Sequence, residues 1–200
     1  MAIPSSLDRD RHRPVSFGMA ILKIARMGHP ILLQTAAPVP DPAAPAIQRL
    51  IADMIETMDD ASGAGLAAPQ VHVALRVFVY RLSAGRPGIT VDQNPRAIIN
   101  PVVTPIGDDI VVSWEGCLSI PGLRAAVPRH ARIRLVGLDG AGAPVDIEAE
   151  GFHATVIQHE TDHLDGILYP MRMTDHRLFG YNEEIGRYGS PLSEISDVPP

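Results

Sequence analysis

His159 and His163 stand four residues apart with Glu160 beside the first of them. On a helix that spacing puts both imidazoles on one face, within reach of a single ion. Neutral imidazole suits zinc or ferrous iron, and a neighbouring carboxylate can take a proton from water at such a site. The pattern also arises by chance on surface helices, so it needs support from the rest of the chain. Two other segments concentrate useful residues: Glu115-Gly116-Cys117-Leu118-Ser119, which holds the single cysteine, and Gly63-Ala64-Gly65-Leu66-Ala67-Ala68-Pro69-Gln70. A lone cysteine has no internal disulfide partner, which fits a reducing compartment; it is either a thiol free for chemistry or a metal, or a small buried hydrophobe. The glycine segment matches a dinucleotide-binding pattern in form. It follows an amphipathic helix instead of a strand, however, and Pro69 opposes the helix that would cradle pyrophosphate. A tight glycine loop delivering Gln70 is the better account.

The elements that must position these segments follow from periodicity. Ile47, Leu50, Ile51, Met54, Ile55 and Met58 fall at helical spacing, with Gln48, Arg49, Asp53 and Asp59 off the stripe, so residues 47 to 58 read as an amphipathic helix packed on the core. Strands are expected over 73–82, 97–104, 110–114, 131–138 and 144–149. The last two form a hairpin around Asp139-Gly140-Ala141-Gly142, whose glycines supply positive φ. The histidine pair belongs to a second helix from about Phe152 to Leu164, stopped at Asp165-Gly166. The order helix, strands, helix predicts an α+β fold, with mixed or antiparallel sheets around a central helix that carries the histidine pair.

Two hundred residues that are 46% hydrophobic can bury one core, so a single domain is expected. The apolar runs are far shorter than the ~20 residues a membrane-spanning helix needs. A net charge of -6 gives no electrostatic reason to bind nucleic acid directly. Arg124, Arg129, Arg132 and Arg134 form a local basic cluster, and the period-two spacing of its second half reads as the solvated face of a strand. Residues 1–18 interleave three arginines with two aspartates and lack the apolar stretch of a secretory signal. They are expected to be a disordered extension; the acids also disfavour an organellar transit peptide, leaving a bacterial-type cytoplasmic location. A folded domain is then expected over 19–175, with 176–200 a partly disordered tail of weak periodicity.

Together with Gln158-His159-Glu160-Thr161-Asp162-His163-Leu164-Asp165-Gly166, the cysteine and glycine segments resemble the three signature motifs of the peptide deformylase family, in the right order. The resemblance runs from about Met19 to Asp175 and includes Ile21-Leu22-Lys23-Ile24 and Gly28-His29-Pro30. It implies removal of the N-formyl group from the formylmethionine of nascent polypeptides. Cys117, His159 and His163 would ligate the metal, by family preference Fe2+ with Zn2+ or Ni2+ as substitutes, and leave one position open. Glu160 would act as general base and then pass its proton to the departing amine. The side-chain amide of Gln70 and the backbone N–H of Leu118 would hold the oxyanion. Arg129 would pair with Asp162 and orient the metal helix from behind. Gly63, Gly65 and Leu66 would line the substrate site with Phe152, Thr155 and Val156, which lie on one helix face ahead of His159. Some members dock on the ribosome through a basic C-terminal helix. After Pro170 this chain has three arginines, no lysine and five acids, so only transient ribosome contact is left open.

Two rivals use the same histidines. In a metallopeptidase, Glu183 could be a third ligand twenty residues after His163, or Tyr169 could mark a metzincin-like spacing, although a metzincin has histidine there. A noncatalytic protein could instead close a structural zinc site with Asp162 or Asp165. Neither rival gives the cysteine and glycine segments any work, and a structural site has no use for Glu160 or Gln70.

Overall fold

The computed structural model describes residues 20–82 and 94–189; the expected N-terminal extension lies outside them. Helix α1 (Pro45–Asp60) opens with proline at its first position, where a missing N–H costs nothing, and buries Ile47, Ile51, Met54 and Met58. Asp53, off the apolar stripe, is nevertheless only 8% exposed. It accepts the N–H of Ala20, while the Thr57 hydroxyl accepts that of Leu22. This polar pair ties the incoming chain to the helix.

Two sheets follow, antiparallel throughout. The larger takes the order β1 (Gly65–Ala67), β2 (Val77–Tyr80), β3 (Arg96–Pro105), β6 (Arg132–Asp139) and β7 (Pro144–Glu150). The smaller takes β4 (Ile110–Cys117), β5 (Ile120–His130) and β8 (Phe179–Tyr181). The strand expected over 73–82 shrinks to its second half, because His72 turns the chain with φ of 65° before β2 can pair. Strand β3 bulges at Asn100, whose side chain accepts from Val39 N–H and donates to its carbonyl. The hairpin of β6 and β7 forms as expected, with Arg132–Glu148 and Arg134–Asp146 paired across its exposed face.

Helix α2 (Gly151–Leu164) touches strands of both sheets. Gln158 pins it to the end of β5 by bonding the N–H and carbonyl of His130. At its C-terminus Ile167 N–H returns to the Asp162 carbonyl, and Gly166 takes φ of +74°. A Cβ on Gly166 would also lie 2.8 Å from the Leu33 backbone, so only glycine serves there. The chain then continues in order well past Asp175: Leu178 is buried, β8 pairs with β5, and helix α3 (Asn182–Tyr188) follows. No helix among the described residues is long and apolar enough to cross a membrane.

Candidate metal centre

Three elements meet at one point. Strand β4 ends on Cys117, α2 presents His159 and His163, and the 3-10 turn Ala68–Val71 presents Gln70. The ligating atoms of Cys117, His159 and His163 lie within 4.8 Å of one another, the one such group of histidine, cysteine and acidic side chains among the described residues. Cys117 Sγ is 3.3 Å from His163 Nε2. Ligands on a tetrahedral ion, at sulfur and nitrogen bond lengths of about 2.3 and 2.0 Å, would sit about 3.5 Å apart. The donor set and its spacing therefore fit a divalent transition metal.

Each member is held from behind. Glu115 precedes Cys117 by two on β4, so both side chains share a face of the strand. Its Oε2 lies 2.7 Å from His159 Nδ1. Burial by itself would raise the Glu115 pKa, but hydrogen bonds from His159 and Arg129 outweigh it and hold the carboxyl below its ordinary value. An ionised Glu115 accepts, so Nδ1 carries the proton and Nε2 keeps its lone pair for an ion. Arg129 donates to both oxygens of Glu115, at 2.8 and 3.0 Å, and also to Asp162. It is only 5% exposed, unlike Arg132 and Arg134, and so departs from the solvated face read for the basic cluster. Its guanidinium is the countercharge between two buried carboxylates. Arg172 donates to Asp162 from the other side, at 2.7 and 3.2 Å.

Gln70 is fixed at both ends of its amide. Oε1 accepts the Ala67 N–H at 2.8 Å, so Nε2 must point the other way, to Ser119 Oγ at 3.1 Å and Cys117 Sγ at 3.4 Å. Glu160 is 4% exposed and its Oε2 has no partner among the described residues. Burial pushes its carboxyl up to about 7, the range in which a group can both take and return a proton near neutrality. A Cβ on Gly65 would fall 2.2 Å from Glu160 Oε1, and one on Gly63 would fall 2.8 Å from Leu118 Cδ1. Those glycines are the space the carboxylate and the leucine occupy.

A cleft of about 350 Å³ opens over the cluster. Gly63, Gly65, Gln70, Leu118, Phe152, Thr155, Val156 and Glu160 all border it, as do Cys117 and His159. Leu66 does not. Alternation along β1 turns Gly65 toward Glu160 and Leu66 to the opposite side, where it is fully buried in the cluster that includes Met54 and Met58. Leu66 is therefore a core residue, not part of the pocket. Trp114, Gly122, Leu123 and Asn182 border the cleft without having been singled out by sequence.

The rival ligands lie elsewhere. Tyr169 stacks beside the His159 ring, with centroids 6.2 Å apart and the planes inclined by 25°. Glu183 does sit on a helix, the short α3, but it is exposed and outside the cluster. Asp162 is held by Arg129 and Arg172, and Asp165 by Arg76 at 2.7 Å.

Known proteins share this fold and much of this sequence. The polypeptide deformylase family profile matches residues 21–178. Peptide deformylase 1 of Nitrosomonas europaea is 46% identical over 166 residues, covering 82% of this chain and 94% of its own. Peptide deformylase 1 of Bordetella pertussis is 49% identical over 161 residues, covering 80% and 92%. Among solved structures, the Met-Ala-Ser-bound class I type b peptide deformylase of Acinetobacter baumannii superposes with a TM-score of 0.72 at 32% identity, covering 78% of this chain and 100% of that one. The peptide deformylase of Thermus thermophilus is 42% identical with a TM-score of 0.68, covering 76% and 86%. The chain belongs to the peptide deformylase family, metal-dependent hydrolases that remove the N-formyl group from nascent polypeptides.

Proposed function

We propose that Cys117, His159 and His163 hold one ferrous ion and that Glu160, Gln70 and Leu118 carry out the hydrolysis of N-formylmethionyl peptides around it. The observation that supports this most is a buried, unpartnered Glu160 carboxylate beside a cluster of three metal-capable side chains, at the floor of an open cleft. When bound, the ion supplies a Lewis acid that polarises the formyl carbonyl and acidifies water. Glu160 takes a proton from the attacking water as its oxygen bonds to the formyl carbon. Gln70 Nε2 and the Leu118 N–H donate to the oxyanion that develops, and Glu160 returns the proton to the amine as the C–N bond breaks. Formate and a free N-terminus leave. The methionine side chain lies against Phe152, Thr155 and Val156, with Gly63 and Gly65 also lining the substrate site. Arg129, through Glu115 and Asp162, keeps His159 and the helix in place.

Ferrous iron is chosen over zinc or nickel on the family resemblance, since the donor set itself suits several metals. A cytoplasmic location accords with a single unpaired cysteine. The test is formate release from formyl-Met-Ala by protein purified anaerobically and analysed for metal. Fully iron-loaded protein that releases none would overturn this reading, and zinc-loaded protein of equal activity would overturn the choice of iron.

Gln70→Leu gives a finer check. The substitution keeps most of the volume but removes one donor to the oxyanion, so kcat should fall on the order of 10²-fold. Metal content should stay at one ion per chain, because Gln70 is not a ligand in this scheme. A kcat near that of the parent would remove Gln70 from the oxyanion site.

A further inference from the structure

The segment past Asp175 reaches the cleft at Asn182. Asp175 accepts the Arg177 N–H, Leu178 is 1% exposed, and β8 adds to β5 with Leu123 opposite Tyr181. That antiparallel register carries the next residue, Asn182, toward Gly122, and both border the cleft beside Leu123. Ile185 then folds over Gly180, where a Cβ would lie 3.4 Å from its Cδ1. Arg124 locks the junction: it donates to the Asn182 carbonyl at 3.0 Å, and its guanidinium lies 6.0 Å from the Trp114 ring centre. The Asn182 backbone is thus anchored, while its side-chain amide bonds no described residue.

The proposed chemistry sets where a substrate must run. The formyl group reaches Cys117 and Glu160, and the methionine side chain falls among Phe152, Thr155 and Val156. Gly122, Leu123 and Asn182, with Trp114 beside them, border a further stretch of the wall. A peptide main chain that leaves water along this wall needs hydrogen-bond partners. We propose that Asn182 is a substrate-binding residue whose side-chain amide holds the main chain of the residues following formylmethionine, so that longer peptides are favoured over formylmethionine alone. The inference rests on the proposed deformylase site.

The experiment compares kcat/KM for formyl-Met-Ala-Ser amide with that for formyl-Met amide, in iron-loaded parent and in Asn182→Ala. One neutral hydrogen bond contributes about 1 kcal/mol, so the ratio of the two constants should fall about fivefold in the variant, with the change in KM. Asn182 is exposed, and its replacement should leave the fold intact. An unchanged ratio, whatever happens to the absolute rates, would overturn the assignment. If the parent releases formate from neither substrate, the reading of the site fails first and this one with it.

Discussion

Glu160→Gln should leave the metal in place and the melting temperature unchanged or raised, while kcat falls ~10²- to 10⁴-fold, the range for loss of a general acid and base. The side chains are nearly the same size, so the close approach of Gly65 to the carboxylate survives the change. Glu160 Oε2 makes no hydrogen bond among the described residues, and the exchange therefore breaks none. Relief of a buried carboxyl should favour the folded state slightly. What is lost is proton transfer: an amide can neither take the proton of water nor return one to the departing amine. Metal analysis, a thermal melt and formate release on one preparation are enough. A kcat within tenfold of the parent would mean that another group moves the proton.

The helix that carries the site was legible because two signals agree on it. His159 and His163 repeat at four, and Asp165-Gly166 marks a stop that the left-handed Gly166 confirms. Strand β5 was not legible, since Pro121, Gly122 and Pro128 read as turn residues, although pairing with β4 overrides them. Strand β1 is three residues long inside a glycine-rich loop, too short to show alternation, and that hid the inward turn of Leu66. The part of Glu115 was hidden because the expected strand ended at Trp114; once β4 runs on to Cys117, Glu115 shares its face. The parts of Arg172 and Asn182 were hidden too. Both depend on where the chain returns after α2, and local periodicity carries no such information.

The buried ion-pair network predicts an equally large effect on stability. Arg129 is the only arginine or lysine paired with Glu115 among the described residues, and its side chain is 4% exposed. Arg129→Ala would leave two carboxylates buried without it. Asp162 keeps Arg172, whose side chain is 46% exposed, whereas Glu115 keeps the His159 N–H alone. Removing one partner of a buried pair typically costs ~3 to 5 kcal/mol. That is a large share of the roughly 5 to 15 kcal/mol of a whole domain. A second consequence follows at the metal. A Glu115 relieved of Arg129 can protonate or swing away, and His159 then loses the acceptor that fixes its ring. Affinity for the ion should drop ~10- to 100-fold, as for other groups that orient ligands. Arg129→Lys should fall between the two, because an ammonium keeps the charge but cannot fork to both oxygens of Glu115 while reaching Asp162. Urea unfolding of the metal-free protein reads the first effect, and chelator competition for zinc reads the second. If Arg129→Ala matches the parent in both, the network holds neither the fold nor the metal ligand.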